Sequence, residues 1–220
     1  MSRSYDLDTN AAKKADEKAS RIEATGDYIG TFKYAIAKKA KSGADGIELH
    51  FEDRAKQEAR LTLWTHKGDG TALSGFNVLQ AILTCLSLRG IKAAPQPVEL
   101  YDAQAKTKVR KELDVYPDLM GKPIGLLLQL APEEYLDKQG SLKVANKLEI
   151  YSIYNADSRM VASEILARAP KAEKLEKVKA SLKDRALKKL PAGQSAQSSG
   201  NGGPAPTGGF DDFDDCDIPF

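Results

Sequence analysis

Hydrophobic positions along the chain fall into two periods. From Tyr28 to Ala37 the alternation puts Tyr28, Gly30, Phe32, Tyr34 and Ile36 on one face, with Lys33 opposite. Ile47, Leu49 and Phe51 alternate with Glu48, His50 and Glu52, and Leu61 and Leu63 alternate with Arg60, Thr62 and Trp64. Each stretch reads as a half-buried strand, and the glycine-punctuated basic run Lys38-Lys39-Ala40-Lys41-Ser42-Gly43 connects the first two. Three such strands in succession predict an antiparallel meander. Between Leu73 and Leu88 the period turns helical, with Leu73, Phe76, Leu79, Ala81, Leu83, Leu86 and Leu88 covering most of a helix surface and Gly90 as a stop signal.

Strand patterns resume after Pro97 with Val98 and Leu100, then Val109, Leu113 and Val115. The apolar run from Ile124 to Leu130 suits a strand covered on both faces. A last alternation sets Leu142, Val144, Leu148, Ile150, Ser152 and Tyr154 against Lys143, Lys147 and Tyr151. The expected class is mainly β with helices. The order of three strands, a helix, then two or more strands matches an OB-fold-like antiparallel barrel. Ser158–Arg168 reads as a short helix and Lys171–Leu190 as a longer one, with Leu175, Val178, Leu182, Ala186 and Leu190 in a stripe. That stripe suits packing on the barrel, pairing with a second subunit in a homo-oligomer, or contact with phosphates. Residues 9–24, rich in Ala, Lys and Glu, predict a short helix or mobile arm. The chain therefore divides into an arm (1–25), a barrel domain (26–157), a helical extension (158–190), a flexible linker (191–209) and an acidic tip (210–220).

Charge sharpens this division. Over the whole chain the net charge is only +2, but all 33 Lys and Arg precede residue 191, as do 26 of the 31 Asp and Glu. Residues 1–209 thus carry +7 and the tip −5, a basic body joined to an acidic end. The Gly/Ser/Pro-rich linker between them behaves as a coil reaching roughly 24 Å. Cys85 and Cys216 sit far apart in unlike settings, which argues against a disulfide framework and for a cytoplasmic chain. With no apolar leader and no run near the ~20 residues needed to span a bilayer, no membrane association is expected.

The tip reads Phe210-Asp211-Asp212-Phe213-Asp214-Asp215-Cys216-Asp217-Ile218-Pro219-Phe220 and holds three of the six phenylalanines. Spaced rings, aspartates and a terminal Phe220 carboxylate suit an apolar pocket beside a basic surface, with Pro219 stiffening the last step. The tip resembles the C-terminal end of bacterial single-stranded DNA-binding proteins, where acidic residues run into Asp-Ile-Pro-Phe; only Cys216 interrupts the run here. The rest of the chain is more similar to the larger single-stranded DNA-binding proteins of tailed bacteriophages. The resemblance implies a phage-encoded protein of DNA replication, repair and recombination. Its tip, Phe210 to Asp215 and Asp217 to Phe220, would dock onto partner enzymes.

Binding single strands without sequence preference needs cations along the phosphates and rings on which bases stack. Arg60, Trp64 and His66, next to Lys67, share the strand face opposite Leu61 and Leu63 and form the first candidate patch. Tyr34 with Lys33, Lys38, Lys39 and Lys41 forms a second, and Tyr151 and Tyr154 near Lys147 a third. Catalytic chemistry finds little support. His50, His66, Cys85 and Cys216 lack zinc-ligand spacing, and no phosphate-cradling glycine loop appears, so no metal or cofactor is expected. Pro117-Asp118 could begin a magnesium-nuclease motif, but the strand that follows, Ile124–Leu130, is uncharged. A non-enzymatic single-stranded DNA-binding protein is expected, the alternatives being a scaffold or inhibitor whose acidic tail mimics DNA, and a magnesium-dependent nuclease or recombination enzyme.

Overall fold

A computed structural model of the chain describes residues 7–9, 21–102, 107–137 and 139–190. The linker, the tip and most of the N-terminal arm lie outside the described residues. Seven strands form one antiparallel sheet: β1 (Gly26–Lys39), β2 (Asp45–Asp53), β3 (Glu58–His66), β4 (Ala94–Asp102), β5 (Thr107–Val115), β6 (Pro123–Leu136) and β7 (Leu142–Asn155). Among the described residues from 21 to 190, three helices accompany them, α1 (Ser74–Cys85), α2 (Ala162–Leu166) and α3 (Lys174–Ser181), with a 3-10 turn at Pro117–Leu119. The mainly β class and the meander followed by a helix are as the hydrophobic pattern predicts. Among the described residues, no helix is long and apolar enough to cross a membrane.

β1 is the hub. One edge pairs with β2, while the other pairs first with β6, through Gly26–Thr31, and then with β5 at Ile36. The strand order is therefore β3-β2-β1-β5-β4, with β6 and β7 branching from the start of β1. The sheet curls around a core of Phe32, Ala35, Ile47, Leu49, Phe51, Leu61, Ile124, Leu126, Leu128 and Ile153, and α1 closes one end with Leu79, Ile82 and Leu83. Asn155 Nδ2 donates to the Cys85 carbonyl at 2.8 Å, fastening the end of that helix to β7. Cys85 itself is buried, which pushes its thiol up to about 12. Removing this apolar area from water is the main stabilising term.

The curl does not close. β7 comes near β3 but exchanges no ladder with it, leaving a seam. Residues 21–24 are not helical; they run beside β3, with Ile22 N–H donating to the Glu58 carbonyl at 2.9 Å and the Ile22 side chain buried in the seam.

The extension also differs from expectation. Helix is confined to Ala162–Leu166 and Lys174–Ser181, and residues 183–190 instead lie extended along β6. Beyond Leu128 that strand has outrun β1, so its backbone groups need other partners. Arg185 N–H donates to the Leu130 carbonyl (2.8 Å) and Lys188 N–H to that of Pro132 (2.9 Å), while Glu134 N–H donates to the Lys188 carbonyl (2.9 Å). Tertiary pairing has overridden the helical stripe.

Candidate nucleic-acid interface

Part of the outer surface of the curled sheet is covered. Over β6, β7 and the start of β1, residues Leu127 and Tyr154 are buried beneath Val161, Leu175, Val178 and Leu182 from the C-terminal helices. The outer face of β1, β2 and β3 carries no such cover. Ladder register puts its side chains in rows: Lys38, Gly46 and Trp64; then Ile36, Glu48 and Thr62; then Tyr34, His50 and Arg60.

A β-bulge produces this gathering. Phe32 faces Phe51 in the core, but the next ladder pair is Tyr34 with His50, so Lys33 is the extra residue. The inserted residue flips the alternation. Ala35 goes into the core and Tyr34 and Ile36 come outside, against the expectation that they share the face of Phe32. At the edge, the β4–β5 hairpin arches over β1, burying Ile36 with Val98 and Val115, and its Leu100 and Leu113 pack with Tyr34 and Met120 around that cluster. The open face thus has an apolar border on one side and aromatic residues across it.

The rings differ in setting. The Trp64 indole is half-buried on the open face and lies against Gly46. Tyr34 meets His50 edge-on at 6.0 Å, and His66 meets Phe76 of α1 edge-on at 5.1 Å. His50 and Phe76 each meet one of the predicted rings, although the hydrophobic pattern places them only on the polar side of a strand and on the apolar surface of a helix. Strand register and the short turn between β3 and α1 place them, and neither is visible in local periodicity.

The cations are not bare. Lys33 Nζ sits 2.9 Å from both Glu52 and Glu58. Glu48 takes Lys38 Nζ at 2.6 Å and the N–H of His50 Nε2 at 2.9 Å, with Arg60 Nε at 3.5 Å. The His50 hydrogen bond first, then the lysine and arginine charges, holds the Glu48 carboxyl down to about 2. The two carboxylates beside Lys33 raise that ammonium's pKa. Lys39 is 3.6 Å from Asp45, while Lys41 and Lys67 stand exposed on two turns whose backbones abut at Gly43 and Gly68. Lys33, Tyr34, Lys38, Arg60 and Trp64 of the first two predicted patches therefore share one surface, interleaved with Glu48, Glu52 and Glu58, while a register shift that leaves Thr65 extra turns His66 into the Lys39–Asp45 row beside α1.

The third patch comes apart. Tyr154 has no exposed surface; its ring fills the place a side chain would take at Gly125, and its hydroxyl donates to Asp27 Oδ1 at 2.5 Å. Arg159 covers the ring face at 4.7 Å. Tyr151 is half-buried beneath α3 with its hydroxyl 3.0 Å from Ser181 Oγ, and Lys147 is engaged with Glu133. The cause is again a bulge: β6 residues Leu127 and Leu128 pair with Ser152 and Ile150, so Tyr151 is the extra residue and Tyr154 turns under the helices. Tyr154 and Tyr151 pack the extension onto the sheet, while Lys147 ties β7 to β6. Among the described residues no three His, Cys, Asp or Glu side chains are grouped to hold a metal ion. No known family model matches this chain, and no curated protein is significantly similar to it.

Proposed function

We propose that the chain binds single-stranded DNA, without sequence preference and without catalysing a reaction on it, along the open face of β1, β2 and β3. One observation carries this reading. Two sequence-distant groups, Lys33, Tyr34 and Lys38 on β1 and Arg60 and Trp64 on β3, meet on a face that the C-terminal helices leave bare and the hairpin only borders. Bases would stack on Trp64 and Tyr34 and against the apolar border of the hairpin. Phosphates would take the places that Glu48, Glu52 and Glu58 hold at Lys38, Arg60 and Lys33. A face of this width receives one flexible strand, whose bases are free to turn inward, better than a duplex whose bases are stacked inside.

The sheet path β3-β2-β1-β6-β7, with a helix after β3, supports an OB-fold-like arrangement in which the β4–β5 hairpin is an insertion. In such folds the face of the second and third strands is the nucleic-acid surface. The likeness of the tip to that of bacterial single-stranded DNA-binding proteins supports a second role, recruiting replication, recombination or repair enzymes to the bound strand. Titration against single-stranded and duplex DNA at two salt concentrations tests the reading. Binding that prefers the single strand and weakens steeply with salt is expected. Equal affinity for the two forms would overturn it.

A further inference from the structure

The seam between β3 and β7 contains a recess of about 230 Å³ lined by Arg21, Ile22, Glu23, Arg60, Leu130, Asn146 and Leu148. Arg60 belongs to both places, since it stands in the Tyr34–His50–Arg60 row of the open face and also forms part of the recess wall. Arg21 comes from the segment that lies in the seam. Its backbone bridges to Glu58, and its exposed guanidinium makes no ion pair among the described residues.

We propose that this recess is a phosphate subsite for the nucleic-acid backbone, with Arg21 and Arg60 holding one phosphodiester between them. The inference rests on the reading of the open face as a DNA-binding surface and extends it beyond the sheet. Arg21 shares the recess with the carboxylate of Glu23, and Arg60, whose Nε stands 3.5 Å from Glu48, would be drawn from that carboxylate to the phosphate. Planar forks of donors match the oxygens of a phosphodiester better than a lysine point charge does. Ile22, Leu130 and Leu148 give the recess an apolar back wall on which a sugar or base edge can rest, and the Asn146 amide adds a polar group at the rim. A strand crossing Trp64 towards Arg60 would leave the face over this seam, not over the hairpin.

Arg21→Ala in the full-length chain tests the assignment. Arg21 reaches β3 through its backbone, so the variant keeps that bridge and is expected to melt with the wild type. Its affinity for a single-stranded oligonucleotide is expected to fall about tenfold. The slope of log affinity against log salt should flatten by about 0.7, the share of one phosphate on a single strand. Arg21→Lys should restore the slope but only part of the affinity, because it returns the charge without the fork. Lys177→Ala, an equal loss of charge on α3, should leave the slope unchanged. If Arg21→Ala binds as the wild type does while a Trp64 substitution weakens binding, the recess is no subsite and the open face stands. If the wild-type chain does not bind single strands, both readings fall.

Discussion

Gly46 stands directly opposite Trp64 in the β2–β3 ladder, and a Cβ placed there would come within 2.7 Å of the indole and 2.6 Å of the Leu63 carbonyl oxygen. The missing side chain is what lets the ring lie down on the sheet and keep one face towards solvent. Gly75 of α1 lies against the backbone of the same residue, where a Cβ would come within 2.3 Å of the Trp64 carbonyl oxygen. Gly46 thus seats the indole and Gly75 the backbone that carries it, which lowers the ordering cost of stacking a base.

Oligonucleotide should therefore quench Trp64 fluorescence. Trp64→Ala should weaken single-strand binding by about 1–3 kcal/mol, the range for a base stacked on an aromatic side chain. Its melting temperature should move little. A melting temperature that collapses with affinity unchanged would assign the ring to the fold alone.

Glu48 occupies the cations that a phosphate would use. Glu48→Gln keeps the shape and removes the charge, so single-strand affinity should rise roughly three- to tenfold, equivalent to about 1 kcal/mol. Its salt dependence should steepen as Lys38 and Arg60 become available. Fluorescence anisotropy at two salt concentrations reads both effects.

Acid should act through the same carboxylate. Its folded value, about 2, lies below the ordinary 4.5, so its ion pairs stabilise the fold above the ordinary value and lose that contribution as pH falls from 4.5 towards 2. Urea unfolding across that window should show a steeper loss for the wild type than for Glu48→Gln. Parallel curves would remove Glu48 from the account.

Tyr154→Phe separates fold from site. It deletes the hydroxyl that bonds Asp27 and Arg159 but keeps the ring against Gly125, so it should cost roughly 1–2 kcal/mol of stability. Single-strand affinity should stay at the wild-type value. A selective loss of binding would restore the third patch that burial has dissolved.

Deleting Phe210–Phe220 removes five aspartates from a chain whose remainder carries +7. Single-strand affinity should rise modestly, most at low salt, while capture of a replication or repair enzyme is lost. Removing Phe220 alone should abolish capture and leave affinity nearly unchanged. Capture that survives the loss of Phe220 would reduce the tip to an electrostatic brush.

Alternation made the strands legible because a residue on a curled sheet either enters the core or does not: Ile47, Leu49 and Phe51 point inward as written, and Glu48 and His50 outward. Bulges were not legible. At Lys33 and at Tyr151 one extra residue reverses the faces, yet apolar residues continue on both sides of it, so a period of two still fits. The first reversal brought Tyr34 to the open face and the second hid Tyr154. The Glu52–Lys33–Glu58 contact was equally out of reach, since it joins residues on three strands through a register that no local pattern encodes. Residues 183–190 misled for a related reason: Leu182, Ala186 and Leu190 have helical spacing, but an unpaired strand edge offered their backbone better partners.

That late pairing sets an order of events in synthesis. β6 leaves the ribosome well before the residues that finish it, for Gln129 Nε2 donates to the Lys183 carbonyl 54 positions further on. At ~5–20 residues per second the outer half of β6 waits roughly 3–10 s for its cover. A chain stopped at residue 182 would possess all seven strands and still carry a bare edge, open to a second nascent copy. A chain stopped at residue 190 would not. The folding unit therefore extends at least to Leu190, past α3, and fragments cut at residue 182 should self-associate where those cut eight residues later stay apart.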